Sequence, residues 1–290
     1  MSYSFEVFQA KCNCVNTTEN EDILWLEEFI NHITYTDSES DVFRYPFSNS
    51  GKKYFQETKT ANLRYLKINF NTAYKILMDL DKDKCIEKTT YEHYEPNLFI
   101  DRGLYEELSI VGWGMSFSKY NFYPYINGYT EVAGYIRKYI IEYKNYDLFL
   151  PMCYIFRNAV ELSLKRILIE DTGIEEKNSM KKIQKKKHSV LGLWNSIKST
   201  IEECSPSEED TTIESAEKYI RILQDFDCSS SKFRYPVNKD VEYHFSKKVV
   251  LDIENVALFF NELLNFLDGV DGELTARMEW QMEIQSYYDY

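Results

Sequence analysis

Apolar residues recur at helical spacing in seven stretches of the chain. EDILWLEEFINHI (21–33) follows Asn20, a good N-cap, and sets Ile23, Leu26, Ile30 and Ile33 on one face. LRYLKINFNTAYKILMDL (63–80) repeats the pattern with Leu66, Phe70, Ala73, Leu77 and Leu80. YTEVAGYIRKYIIEY (129–143) carries Val132, Ile136, Tyr139 and Tyr143, and the most apolar stretch, 152–169, is started by Pro151 and stopped near Gly173. Helices are also predicted over 188–201, 212–226 and 251–268, the last followed by a tail rich in Met, Trp and Tyr. Between 97 and 129 the helical period is lost, and five of the ten glycines fall in or just past this stretch, at Gly103, Gly112, Gly114, Gly128 and Gly134. That window reads as an aromatic, glycine-rich connector with short strands. The expected fold is therefore mainly α, with an N-terminal helical module and connector over 1–125 and a helical domain over 126–290.

A ten-residue pattern occurs twice. Asp37, Ser40, Phe43, Arg44, Tyr45 and Pro46 match Asp227, Ser230, Phe233, Arg234, Tyr235 and Pro236 at a constant offset of 190, as D-x-x-S-x-x-F-R-Y-P. Each copy follows one amphipathic helix and precedes another after a polar spacer, which predicts two related helical modules. Asp and Ser just after a helix favour side-chain-to-backbone turns, and Pro holds the preceding Tyr in extended geometry. Phe and Tyr supply apolar anchors. Arg44 and Arg234 are placed either to pin the loop through a carboxylate or to fork onto a phosphate, and their recurrence in both halves favours the structural role.

Composition narrows the class. The 290 residues include only 10 Gly and 6 Pro, are 44% hydrophobic and 16% aromatic, and carry a net charge of −13. Such a chain has the apolar content for a sizeable core and no broad basic footprint for DNA. No apolar run approaches a membrane span, and MSYSFEVFQAKCNC has no basic stretch followed by an apolar one, so a cytoplasmic protein without a membrane association is expected. The cysteines are scattered rather than arranged as a disulfide framework. Charge is segregated: Lys177, Lys181, Lys182, Lys185, Lys186 and Lys187 run into His188, and an acidic stretch follows from Glu202 to Glu217. The lysine island reads as a solvated loop between helices, or as a loop that contacts phosphate or RNA.

Three features of the second half, in order, resemble the HEPN superfamily, compact helical bundles of prokaryotic defence and toxin systems. They are IFRNAVELSLKRILI (155–169), with Arg157-Asn158 followed by Glu161-Leu-x-Leu-Lys165; the Lys-rich stretch ending in His188 and HSVLGLW; and DxxSxxFRYP before the last long helix. The resemblance covers roughly 129–270. It implies a helical bundle that acts as a homodimer or in complex with another defence-system protein, with RNA or a nucleotide as ligand; no cofactor is expected, because the sequence carries no metal- or nucleotide-cofactor motif. The family's ribonuclease signature pairs an Arg with a His four to six residues on. Only Arg157 and Asn158 carry over, because no arginine of this chain has a histidine at that distance.

Metal-independent RNA cleavage needs a group to take the 2′-hydroxyl proton and another to protonate the leaving oxygen. Arg157 is suited to stabilising phosphorane charge but not to acting as base, so an active site would borrow His188 or His244. The expected function is a non-catalytic RNA-, nucleotide- or partner-binding subunit, with Lys185, Lys186, Lys187 and Arg234 as binding candidates. The alternative is a metal-independent endoribonuclease using Arg157, Asn158 and His188. Beside these stand plainer readings: Arg157 as a buried partner of Glu161, and His188 as a helix cap. Cys12-x-Cys14 with His32 is a poor zinc site, and no P-loop, G-x-G-x-x-G, H-E-x-x-H or G-x-S-x-G is present.

Overall fold

Asn20 caps the first helix as its position predicts. Its Oδ1 accepts from the Asp22 and Ile23 amides at 3.0 and 3.4 Å, and helix α1 then runs over Glu21–Thr36. The computed structural model describes residues 20–48, 50–81, 91–111, 120, 122–204, 211–245 and 250–288. Among them the chain is mainly helical, with a single two-stranded sheet, and no helix is long and apolar enough to cross a membrane. Cys12 and Cys14 lie outside the described residues.

The chain forms two compact units. One contains the residues up to Phe43 and Lys53–Met115, and the other contains Arg44–Lys52 and Ser116–Tyr290. In the first, α1 packs on α2 (Leu63–Asp81) through a core that includes Trp25, Leu26, Phe29, Ala73, Ile76 and Leu98. Strand β1 (Lys59–Asn62) pairs antiparallel with β2 (Leu108–Val111), Lys59 opposite Val111 and Asn62 opposite Leu108. This is a short strand of the kind the connector window predicts. Polar side chains tie irregular backbone to the helices. Asn69 donates to the Glu95 carbonyl and accepts from the Tyr94 amide, each at 2.9 Å, and the Trp25 indole donates to the Tyr94 carbonyl at 2.6 Å. Those bonds satisfy backbone groups that no ladder pairs.

The second unit is built around α4 (Phe149–Arg166), which continues as a π-helical turn over Ile167–Asp171. Every residue from Phe156 to Arg166 is buried, so this helix is the core of the unit. It packs against α3 (Tyr123–Tyr143), α6 (Val190–Glu202) and α8 (Ile253–Tyr288). Helix α7 (Thr212–Phe226) packs on α6 and α8.

Two stretches differ from expectation. The lysine island is not a loop: α5 spans Glu176–Lys186, because Ser179, Met180 and Ile183 make a buried stripe and Lys and Gln are good helix formers. Helix α8 also runs twenty residues past 268, to Tyr288, through Glu, Ala, Arg, Met and Gln positions that favour helix; a Cβ at Gly269 or Gly272 would meet nothing, so both glycines face open space.

The sequence repeat is also a conformational repeat. Asp37 and Asp227 end their helices with φ, ψ of −138°, 63° and −141°, 79°, and each amide donates to the carbonyl four residues back, at 2.8 and 2.9 Å. Asp37 Oδ1 accepts from the Asp41 and Val42 amides at 2.7 and 3.0 Å; Asp227 Oδ1 accepts from Ser231 and Lys232 at 2.9 and 3.2 Å. Ser40 and Ser230 adopt the left-handed conformation at φ 59° and 60°. Further on, Ser48 N–H bonds to the Lys52 carbonyl and Asn238 N–H to Glu242, both at 2.9 Å. The next helices begin at Leu63 and Ile253, again 190 residues apart.

Candidate functional site

Helix α4 places Arg157, Glu161 and Lys165 one turn apart on a single face. Glu161 is the centre of what they build. Its Oε2 accepts from Arg157 at 2.7 Å, and its Oε1 accepts from Lys165 at 2.7 Å, His188 Nδ1 at 3.0 Å and the Tyr45 hydroxyl at 3.2 Å. Burial alone would raise the Glu161 carboxyl, but Lys165, the His188 hydrogen bond and Arg157 outweigh it and hold the group well below the usual carboxylate range. Glu161 is therefore an ionised acceptor, and the imidazole nitrogen facing it is assigned as the N–H donor. Burial first, and then the Glu161 charge, push the Tyr45 phenol well above its ordinary value, so it stays a neutral donor.

Arg157 is 0% exposed, and all three guanidinium nitrogens are engaged. Beyond Glu161, one terminal nitrogen donates to the His188 carbonyl at 2.6 Å; Nε lies 3.4 Å from both the carbonyl and the Oδ2 of Asp227. Asp227 is fully buried as well. Two cations, Arg157 and Lys165, thus balance two carboxylates, Glu161 and Asp227. A buried charge cluster persists only when it is neutralised and hydrogen-bonded in this way. Lys165 Nζ also lies 4.4 Å from the Tyr45 ring centroid, a cation–π contact that seats the ring over the cluster.

The expected partnership of Arg157 with Glu161 therefore forms, and His188, Asp227 and Tyr45 join it. His188 is not the cap of α6: Ser189 is, its Oγ accepting from the Gly192 amide at 3.0 Å. The hydroxyl reaches N3 of the helix from the residue next to its start, whereas the His188 ring turns inward to Glu161. The His188 side chain remains 38% exposed, and Nε2 has no protein partner among the described residues.

Other candidates go elsewhere. Asn158 is buried on α4 on the side of Tyr129 of α3. Lys185 is exposed and Lys186 half-buried in the last turn of α5, and Lys187 is its exposed C-cap. None of these three lysines makes an ion pair among the described residues. Arg234 lies over two rings instead of pairing with a carboxylate, 4.8 Å from the Tyr235 centroid and 5.5 Å from Tyr154. Stacked aromatics accept a guanidinium at a half-exposed position without the desolvation a buried ion pair demands. Arg44 lies 5.2 Å from the Tyr45 ring. Ser230 and Phe233 are buried, whereas Pro236 is exposed. His244 is half-buried in the second loop, its amide bonded to the Pro236 carbonyl at 3.0 Å. In the first unit, His32 accepts from the Leu98 amide at 3.4 Å.

A second polar cluster has no counterpart in the motifs. Arg166 pairs with Asp271 of α8 and with Glu170, and its guanidinium lies 3.8 Å from the Tyr123 ring centroid. The Tyr123 hydroxyl donates to Asp271 at 2.8 Å. Asp171, at the end of the π-helical turn, is raised to about 8 by burial and by its neighbour Asp271, against the pull of Arg166. Its Oδ1 accepts from the Thr275 hydroxyl at 3.2 Å. Arg166, Tyr123 and Asp271 also line a cavity of about 250 Å³ between α3, α4 and α8.

No protein-family model, curated protein or solved structure matches the chain.

Proposed function

We propose that the chain is a HEPN-like protein of a bacterial antiviral-defence or toxin–antitoxin type system, acting as a non-catalytic, RNA- or nucleotide-binding subunit, as a homodimer or with another defence-system protein. The observation that carries the non-catalytic part is the sealed guanidinium: Arg157 is 0% exposed and each of its nitrogens is hydrogen-bonded to protein, so a substrate phosphate has no access to it. Binding is assigned to the solvent-facing lysines of α5 and its cap, Lys185, Lys186 and Lys187, which supply unpaired positive charge in an otherwise acidic chain.

This reading is tested by fluorescence anisotropy with a 5′-labelled single-stranded RNA. Wild type is expected to bind with an affinity that falls as salt rises, and the double variant Lys185→Glu/Lys187→Glu to bind at least ~10-fold more weakly. RNA binding that is absent at low salt, or unchanged in the double variant, contradicts the assignment of RNA to this face.

One observation favours the ribonuclease alternative. Glu161 orients His188 through Nδ1 while the side chain stays 38% exposed, which is the arrangement of a carboxylate-held general base. That reading requires the chemistry to proceed without contact between Arg157 and the phosphate.

A further inference from the structure

The cavity between α3, α4 and α8 measures about 250 Å³ and takes no part in the function proposed above. Its floor comes from α4, where Ser163 and Arg166 are buried, and from Ile167 at the start of the π-helical turn. Ile126, Leu264 and Leu267 add apolar wall. The polar lining has a definite sense. Each of its three hydroxyls has already given its proton away: Tyr123 to Asp271 at 2.8 Å, Thr130 to the Ile126 carbonyl at 2.8 Å, and Ser163 to the Ala159 carbonyl at 3.0 Å. Towards the cavity these oxygens can only accept, as do the Glu131, Asp268 and Asp271 carboxylates; only the Asn127 and Asn265 amides offer donors. Arg166, the one cation of the lining, is held by Asp271 and Glu170 and lies on the Tyr123 ring. Glu131 and Asp268 make no ion pair or hydrogen bond among the described residues.

An anion would meet no free cation there, and a neutral apolar body would leave carboxylates and hydroxyl lone pairs facing it. A cation that donates hydrogen bonds satisfies both. With Asp271 neutralised by Arg166, the lining carries two negative charges, Glu131 on α3 and Asp268 on α8. Tyr123 meets Asp271 and Arg137 meets Glu254, so the two helices run antiparallel and these carboxylates stand roughly two turns apart along the cavity. We propose that the cavity binds an aliphatic diamine, with an ammonium group at each of the two carboxylates and the methylene chain on Ile167, Leu264 and Leu267. The volume lies just below the ~300 Å³ at which pockets for larger ligands begin, which suits a slim chain rather than a fused ring system. This inference does not need the HEPN reading.

The test is isothermal titration calorimetry of 1,5-diaminopentane into the full-length protein at constant ionic strength. Expected is saturable binding at one site per chain. It should weaken at least ~3-fold in Glu131→Gln or Asp268→Asn and at least ~10-fold in the double variant. 1-Aminopentane, with a single ammonium, should bind at least ~3-fold more weakly than the diamine. Glu131 and Asp268 are exposed, so the variants should keep the wild-type Tm and circular dichroism, which separates a lost site from lost folding. Exposed Glu214 of α7 does not line the cavity, and Glu214→Gln should bind as wild type does. Binding that is absent, or that 1-aminopentane matches, overturns the proposal. So does binding that Glu214→Gln weakens as much as the cavity variants do, since the diamine would then only screen a chain of net charge −13.

Discussion

The two copies of D-x-x-S-x-x-F-R-Y-P have nearly the same backbone and opposite buried halves. In the second copy the Asp227, Ser230 and Phe233 end is buried and Tyr235 is 49% exposed; in the first, Tyr45 is 6% exposed with Pro46 and Phe47 buried beside it, and Phe43 is exposed. The turn is therefore specified locally, by an Asp that accepts two backbone amides and a Ser that tolerates the left-handed region. Its surroundings are not. One loop lends its Asp to Arg157, and the other lends its Tyr to Glu161. The two connectors share one backbone form, and the buried ion cluster of α4 uses a different end of each.

The comparison breaks most sharply at the aspartates. Asp227→Ala removes two turn hydrogen bonds and also leaves Arg157 short of a counter-charge, for an expected loss of ~3–5 kcal/mol. Asp37→Ala removes only the turn bonds and should cost ~1–2 kcal/mol. Urea denaturation of both variants checks the difference, and equal losses would mean that Asp227 contributes nothing beyond its turn. The tyrosines come next, in the reverse order of copies. Tyr45→Ala should cost ~3 kcal/mol, because a buried ring and a donor to Glu161 are lost, whereas Tyr235→Ala should stay within ~0.5 kcal/mol.

The pH dependence sharpens the contrast between the seat of Tyr45 and the unrelated cluster at Asp171. Glu161 titrates below its unfolded value, so its stabilisation is present above the ordinary carboxylate range and is lost as acid protonates it. Asp171, raised to about 8, has the opposite sign: the folded state holds a proton that the unfolded state releases, so stability falls as pH rises from about 4 towards 8. Denaturation across this range should show that decline in wild type and a flatter profile in Asp171→Asn. A profile that is equally steep in the variant removes Asp171 as its cause.

The smallest effect concerns the left-handed residue near each loop's end. Gly51 occupies this conformation at φ 79° and Val241 at φ 63°. A β-branched residue is strained there, so Val241→Gly should raise stability by up to ~1 kcal/mol. Gly51→Val should lower it by ~1–2 kcal/mol, since a Cβ would also stand 3.3 Å from the Met180 methyl. Thermal unfolding of the two variants reads both signs.

Most helices were legible from apolar spacing, because α1, α4, α6, α7 and the start of α8 each bury a continuous stripe; α2 formed as expected although Phe70 and Leu77 of its apolar stripe are exposed. Helix α5 was not. Only Ser179, Met180 and Ile183 are buried in it, and lysines hide a stripe that short. The Arg157–Glu161 pair was legible as well, since residues four apart on a helix face one another. The seat of Tyr45 was not: its hydroxyl meets a carboxylate 116 residues away, and no periodicity encodes a contact between a loop and a distant helix. Asp171 and Asp271 were invisible for the same reason, each being an ordinary acidic residue until the fold of α4 and α8 brings the two carboxylates together.

The most direct test of a sealed, structural Arg157 cluster is a ribonuclease assay on total RNA and tRNA without divalent metal, comparing wild type, His188→Ala and Arg157→Ala. The expected result is intact RNA with all three proteins, together with a loss of ~1–2 kcal/mol in His188→Ala, which takes one donor from buried Glu161, and a larger loss in Arg157→Ala. Cleavage by wild type that disappears in a folded His188→Ala would contradict it and would identify the Glu161-held imidazole as a catalytic base.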